Sequence, residues 1–164
     1  MSDIRNRYTG EVMFSGECTL ADLAQANRAS LYGANLSGAN LDGANLSRAD
    51  LTRANLDPLA IARLSITPRG EMVAYKKLVE GVAELRIPAD ARRSNATGRK
   101  CRAEFAIVVA LPEQCDVGHS LHDNTFTYHV GQTVRPHEWC EDRWQECAGG
   151  IHFYLTREEA EAHV

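Results

Sequence analysis

The 164-residue sequence lacks an apolar run of the length needed to cross a membrane, about 18 residues. Its polar N-terminus, MSDIRNRYTGE, lacks the apolar region of a signal peptide. We therefore expect a cytoplasmic protein without a membrane partner. The absence of a secretion signal and the odd number of cysteines, five, predict reduced thiols and not a disulfide framework. Apolar residues make up 44% of the chain, which suffices for a modest core and excludes disorder as the default.

No one sign of charge dominates the whole chain, whose formal net charge is −4, but the two signs are unevenly distributed. Residues 58–112 hold ten basic and five acidic side chains, and residues 113–164 hold three basic and ten acidic ones. A basic middle and an acidic end either satisfy each other or face different partners, and the sequence leaves both open.

A five-residue repeat runs from Ala29 to Pro58 and reads ASLYG ANLSG ANLDG ANLSR ADLTR ANLDP. On an α-helix, successive leucines of this pattern would point about 140° apart, and on a flat strand they would alternate between faces. The pattern therefore predicts short extended pieces with alanine and leucine pointing inward and a corner after each pentad. Glycine suits such corners because it adopts left-handed backbone conformations, at Gly33, Gly38 and Gly43.

The A(N/D)LxG pattern resembles the pentapeptide-repeat family, whose members form a right-handed quadrilateral β-helix with four pentads per coil. The resemblance implies about one and a half coils for the six pentads. Weaker copies in the same register extend the prediction to about two coils, at Ala24, Ala26, Leu59, Ile61, Leu64 and Ile66.

So short a solenoid needs a cap at each end, because each coil buries its faces only against its neighbours. We expect the N-terminal cap to be two strands around Thr9-Gly10, followed by a helix that begins at a capping box of Thr19 and Asp22. The coil ends are also candidates for contact with a second copy of the chain in a homodimer.

Some members of the family resemble B-form DNA in shape and charge and occupy the DNA site of topoisomerases. That role needs an acidic exterior, whereas the segment from Arg28 to Pro58 holds three aspartates and three arginines. Its net charge of zero argues against DNA mimicry and favours a rigid scaffold or a dimerisation surface.

The second half of the sequence predicts an α+β domain, because its strand patterns end in one capped helix. Two strands are expected around Glu80-Gly81, then AEFAIVVAL, FTYHVG and IHFYL, and last a helix with a capping box of Thr156 and Glu159. The fold class is therefore mainly β with an α+β second domain. The predicted parts are an N-terminal cap (1–28), the repeat (29–68) and the α+β domain (69–164).

Three stretches of this half, SNATGRKCRAEFA, YHVGQTV and ECAGGIHFYLTREEAEAH, resemble an uncharacterised C-terminal domain found behind pentapeptide repeats in phage and bacterial proteins. The resemblance implies no established activity. Its phage setting implies inhibition of a host system as one role.

The segment ARRSNATGRKCR is predicted to be a basic loop that holds an anion such as a nucleotide. Guanidinium groups, hydroxyls and a flexible backbone together suit phosphate, although the spacing is not that of a P-loop. The candidate ligand-binding residues are Arg92, Arg93, Asn95, Thr97, Arg99, Lys100 and Arg102. The alternative is a solvated loop that pairs with the acidic C-terminus.

Imidazole and thiol groups cluster near the C-terminus with the spacing H-x2-C-x6-C-x4-H, which suits tetrahedral zinc. The four residues are His137, Cys140, Cys147 and His152. The alternative is buried thiols that pack as small apolar groups, and we assign no metal and no cofactor. Cys147 and His152 are also a candidate nucleophile and base, but no spacing rule supports them. The run GGIHFYLTREEAEAH is loosely similar to the strand-turn-helix segment of ADP-ribosyltransferase-like folds.

Six of the eleven aromatic residues fall within 29 residues: Phe126, Tyr128, Trp139, Trp144, Phe153 and Tyr154. We expect them to form the core of the second domain. Aromatic rings exposed beside the basic loop would instead stack on a base.

The sequence as a whole favours a non-catalytic binding protein. In this hypothesis the β-helix is a scaffold that presents the α+β domain to a protein partner or to an anionic ligand, with no catalytic residue assigned. The alternative is a nucleotide-directed, transferase-like enzyme that uses the Cys147 and His152 region.

Overall fold

The computed structural model describes residues 1–41, 44–46 and 48–163. The chain divides into two units. The first unit consists of Met1–Ile66, Ala96–Gly98 and Asp142–Glu146, and the second of Thr67–Asn95, Arg99–Glu141 and Cys147–Val164. The domain bounds given by the sequence, 1–28, 29–68 and 69–164, stay a prediction. No helix in the described ranges is long and apolar enough to span a bilayer.

The first unit begins with an antiparallel hairpin of β1 (Ser2–Asn6) and β2 (Val12–Gly16). Its turn contains Gly10 at a φ of 75°. The helix α1 (Leu20–Ala26) follows, and both hydrogen bonds of the capping box between Thr19 and Asp22 are present. The predicted hairpin and capped helix are thus confirmed.

The repeat buries its leucines and most of its alanines, as the five-residue pattern predicts. Leu41 and Ala44 are half-buried, and the buried members are Leu31, Ala34, Leu36, Ala39, Leu46, Ala49, Leu51, Ala54 and Leu56. Ala29 departs from the pattern and is exposed, because it lies in a 3-10 turn at Arg28–Ser30.

Hydrogen bonds in the repeat join residues about four pentads apart. The Leu36 amide donates to the Asn55 carbonyl at 2.8 Å, and Asn35 and Asn55 form a parallel bridge. The side-chain amide of Asn55 also donates to the Asn35 side chain at 3.2 Å. The chain therefore returns beside itself after twenty residues, and β3 (Ala34–Asn35) pairs antiparallel with β1 as well.

The fifth position of a pentad adopts the left-handed conformation expected of a corner. Gly33 and Gly38 have φ angles of 66° and 74°, and Arg48 and Arg53 have φ angles of 60° and 56° at the equivalent position. The corner prediction is confirmed at Gly33 and Gly38, whereas Gly43 lies outside the described residues.

The weaker pentads after Pro58 are not part of the coil. This stretch forms the helix α2 (Pro58–Leu64), which leaves Leu59 62% exposed. Proline at the first helical position and good helix formers after it explain the helix. Upstream, Ala24 and Ala26 lie in α1, where Ala26 is exposed. The extension to two coils on these residues is therefore wrong.

The second unit contains three antiparallel sheets and a C-terminal helix, α3 (Arg157–Glu161), which has the predicted capping box. The strands in chain order are β4 (Met72–Leu78), β5 (Gly81–Ile87), β6 (Arg93–Asn95), β7 (Cys101–Ala103), β8 (Ala106–Ala110), β9 (Gly118–His119), β10 (Thr127–Tyr128), β11 (Thr133–Val134) and β12 (Ile151–Phe153). The sheet orders are β11-β8-β5-β4, β12-β7-β6 and β10-β9.

The described residues are 31% strand and 14% helix, so the chain is mainly β, as predicted. A closed β-helix is not among the sheets assigned to the described residues, and that finer architecture stays a prediction.

The segment predicted to be a basic loop is instead a hairpin. Strands β6 and β7 pair from Arg93↔Ala103 to Asn95↔Cys101, and Asn95 and Arg102 are each only 2% exposed. The loop prediction is wrong because backbone pairing and burial override the polar composition of this segment.

The aromatic residues divide between the units. Tyr128 and Phe153 are buried in the second unit, as expected of its core. Trp144 instead packs in the core of the first unit, to which residues 142–146 belong. The prediction of one shared aromatic core is therefore wrong for Trp144.

Candidate functional site

The second unit contains a cavity of about 580 Å³, a size typical of small-ligand sites. Its walls come from β4, from the stretch between β9 and β10, and from the chain before and within β12. All of its lining residues belong to the second unit.

The cavity is lined by lysine and histidine side chains. The chain has three lysines and six histidines, and all three lysines and four of the histidines line this one cavity. They are Lys76, Lys77, Lys100, His122, His137, His152 and His163. Two acidic residues, Asp123 and Glu138, also line it. Within the part of the chain that the structure describes, none of the lysines forms an ion pair with a carboxylate.

Lys76 is positioned by the alternation of β4. Its neighbours at two-residue spacing, Ala74 and Leu78, are fully buried, so the Lys76 side chain leaves the strand on the core face. Its Nζ donates a hydrogen bond to the carbonyl of His152 at 3.2 Å and lies 5.6 Å from the ring centre of Tyr128. Burial, and after it the charge of Lys100, lowers the pKa of Lys76 from 10.5 to about 8.

The imidazole of His163 lines the same cavity, and its pKa is lowered as well. His163 contacts the hydroxyl of Tyr154 through Nδ1 at 3.1 Å, and its ring centre lies 6.3 Å from that of His122. Burial first, and then the charges of Lys100 and other neighbours, lower the pKa of His163. Burial is the main cause of both pKa shifts, and the positive charge of Lys100 contributes to each of them.

Aromatic rings form part of the same lining: Phe126, Tyr128 and Tyr154. Phe126 and Tyr128 contact each other, with ring centres 5.3 Å apart. Tyr154 is held by paired backbone hydrogen bonds with Tyr75, at 2.9 and 2.7 Å. Cationic groups beside aromatic faces suit a ligand that combines an anion with a ring.

The structure brings Cys147 and His152 to the cavity together. Cys147 is exposed, and the Nζ of Lys100 lies 3.8 Å from its Sγ. The proposed zinc ligands do not form a metal-binding group: within the described ranges, no three His, Cys, Asp or Glu residues are arranged to hold a metal ion. His137 is instead 3.3 Å from a carboxylate oxygen of Asp123.

The seven residues predicted to bind a ligand differ in what their side chains contact. Lys100 is the one member that lines the cavity, and Thr97 lies in the first unit, where its hydroxyl donates to the Ala49 carbonyl at 3.3 Å. Arg93 donates to backbone carbonyls, among them Pro88 at 2.7 Å. Asn95 is buried.

The other arginines of this set are also engaged within the second unit. Arg92 forms a forked pair with Glu104, at 3.0 and 3.1 Å, and contacts Glu141. Arg99 pairs with Glu159 of α3, as the alternative interpretation expected of the acidic C-terminus. Arg102 donates to two backbone carbonyls from a buried position. Their role in ligand binding stays a prediction.

Four residues that line the cavity were not predicted from the sequence: Lys76, Lys77, His122 and His163. One signal was present for Lys76, because the alternation of Ala74, Lys76 and Leu78 places a charged group on the apolar face of a strand. No local pattern indicates the histidines, which reach the cavity from separate segments.

Two comparisons define the class of protein. The family model described as Pentapeptide repeats, counted as 8 copies, matches residues 28–57, so this segment of the chain consists of pentapeptide repeats. The family model described as a family of unknown function (DUF5758) matches residues 62–160. Because this match spans more than half of the chain, the chain belongs to that family. The predicted repeat and the uncharacterised domain after it are thus confirmed. No curated protein and no solved structure matches the chain.

Proposed function

We propose that the chain is a non-catalytic binding protein whose second unit holds an anionic small ligand in its cavity. The observation that carries this proposal is that all three lysines line one cavity and that, among the described residues, none of them forms an ion pair with a carboxylate. Partly desolvated ammonium groups favour an anion, because its charge is felt more strongly there than in water. The neighbouring aromatic rings favour a nucleotide or another anion that carries a ring.

The proposed role of the repeat is that of a scaffold. Hydrogen bonds between residues twenty apart support a short right-handed quadrilateral β-helix, because four pentads then complete one coil. A cytoplasmic location, a homodimer through the coil and a phage-type inhibitory role toward a host protein remain predictions of the sequence.

Anion binding can be tested by calorimetry and thermal shift with inorganic phosphate and with adenosine mono-, di- and triphosphate. We expect at least one of these to raise the melting temperature of the wild-type protein, because a ligand that binds only the folded state stabilises it. The double variant Lys77→Gln and Lys100→Gln should bind that anion at least tenfold more weakly.

The control is Arg86→Gln, which removes one positive charge from the second unit, where the double variant removes two. Arg86 pairs with Glu71 on the surface and does not line the cavity. Its variant should bind as the wild type does. Equal losses in both variants would show a non-specific charge effect, and undiminished binding by the double variant would exclude the cavity as the site.

A second candidate function is a nucleotide-directed enzyme at the same cavity, favoured by the placement of Cys147, Lys100 and His152 in its lining. Thiol, amine and imidazole side chains are groups that covalent and acid–base catalysis use. The ligand recovered after incubation separates the two functions. An unchanged nucleotide supports binding, whereas turnover that is lost in Cys147→Ser supports the enzyme.

A further inference from the structure

Lys76 has features that anion binding alone does not require. Its side chain leaves the core face of β4, and its Nζ reaches the cavity beside the Tyr128 ring and the His152 carbonyl. In the described part of the chain, it pairs with no carboxylate. A lysine whose role was a surface charge would extend into water on the opposite face of the strand.

The surroundings of Lys76 raise the fraction of the neutral amine, which is the nucleophilic form of lysine. Desolvation and a second ammonium group are the two means by which proteins activate a lysine toward carbonyl carbon. Both act here, since burial and Lys100 lower the Lys76 pKa to about 8. Lys77 and Lys100 line the same cavity and are the lysines left to hold an anion.

We propose that Lys76 forms an imine with the aldehyde or ketone group of an anionic ligand whose phosphate or carboxylate lies against Lys77 and Lys100. This inference rests on the proposed function for the placement of the anion, but it adds a covalent step to it. The ligand class is therefore a phosphorylated aldehyde or a 2-oxo acid.

The step balances without an oxidant or a reductant. The lone pair of the Lys76 Nζ attacks the carbonyl carbon, and a proton moves from nitrogen to oxygen to give a carbinolamine. A second proton on that oxygen lets it leave as water while the C=N bond forms, and hydrolysis reverses the sequence. His152 and His163 line the same cavity, and imidazole groups can carry such protons.

The test uses the full chain and pyridoxal 5′-phosphate, an aldehyde that carries both a ring and a phosphate. After reduction with borohydride, peptide mapping by mass spectrometry measures the label on each amine. We expect at least ten times more label on Lys76 than on Lys77, Lys100 or the exposed N-terminal amine, and at least ten times less label on Lys76 with pyridoxal, which lacks the phosphate. Lys76→Arg, which keeps the positive charge, should lose the dominant label.

The outcomes separate this inference from the proposed function. Phosphate or nucleotide binding without preferential label on Lys76 overturns the imine and leaves anion binding intact. Preferential labelling of Lys76 that does not depend on the phosphate supports a reactive lysine, but it contradicts the proposed contact of the anion with Lys77 and Lys100. Even labelling of all four amines, in a protein that binds no anion, overturns both. The mapping is made on the wild-type protein, so the folding of a variant does not decide it.

Discussion

At the scale of single residues, Arg102 shows how a charge is retained inside a small unit. Its guanidinium donates to the carbonyls of Cys140 and Gly149, at 2.7 and 3.1 Å, and stacks 4.8 Å from the ring centre of Trp139. A Cβ at Gly150 would lie 2.9 Å from the Cβ of Arg102, so only glycine allows this close approach. Arg102 therefore ties the segment before β12 to β7.

We expect Arg102→Ala to lower the free energy of unfolding by about 3 kcal/mol, because two charged hydrogen bonds and buried packing are lost together. Urea unfolding followed by circular dichroism measures this. The control is Arg86→Ala, whose exposed pair with Glu71 is worth about 1 kcal/mol or less. If Arg102→Ala unfolds like the wild type, the guanidinium is not structural and its assignment to ligand binding regains support.

At the scale of elements, the fifth position of the pentads shows what glycine contributes to the backbone conformation of the repeat. The left-handed corner is kept at Arg48 and Arg53, where no glycine is present. The burial of the leucines and the hydrogen bonds between residues about twenty apart therefore hold the left-handed conformation at these positions. Glycine only makes this conformation less costly. A repeat identified by its alanine and leucine spacing thus predicts the backbone even where the fifth residue varies.

The packing of the repeat can be tested by substituting one buried leucine and one exposed leucine. Leu51 is fully buried in the repeat, and Leu59 in α2 is 62% exposed. We expect Leu51→Ala to destabilise the first unit by about 2–5 kcal/mol and Leu59→Ala by less than about 0.5 kcal/mol. Denaturant unfolding of both variants checks this. Equal costs would contradict the packing of the repeat described above.

The elements that the sequence predicted correctly are those with short-range signals. Thr19 with Asp22 and Thr156 with Glu159 define helix starts within three residues, and Glu80-Gly81 lies between two alternating strands. The hairpin of β6 and β7 was missed because its pairing buries a polar sequence. The cavity was missed almost entirely, because its lysines and histidines come from segments that no local periodicity connects.

At the scale of the whole molecule, the first unit is not a continuous stretch of chain. Residues 96–98 and 142–146 complete it: Trp144 packs in its core, and Arg143 donates to the Ser65 hydroxyl at 3.0 Å. The sequence predicted three continuous parts, 1–28, 29–68 and 69–164, because composition and periodicity are read along the chain. A tertiary contact across more than 70 residues leaves no such signal.

Trp144→Ala should therefore destabilise the first unit although the residue lies in the second half of the sequence. We expect a loss of about 3–5 kcal/mol, as for other buried aromatic residues. Hydrogen exchange of the amides of Leu36 and Ala54, which bond within the repeat, should accelerate in this variant.

The control for this experiment is Tyr8→Ala, a large aromatic residue of the first unit that is 63% exposed. It should leave the exchange of both amides close to that of the wild type. Exchange that is unchanged in Trp144→Ala would show that the unit is complete without residues 142–146.

The late position of Trp144 also bears on how the chain is made. Synthesis proceeds at about 5–20 residues per second, so Glu146 emerges roughly 4–16 s after Ile66. During that interval the buried leucines of the repeat lack their contact with Trp144, and apolar surface is exposed to the ribosome and to chaperones. A message truncated before codon 142 would consequently yield an aggregation-prone product, even though every pentad had been translated.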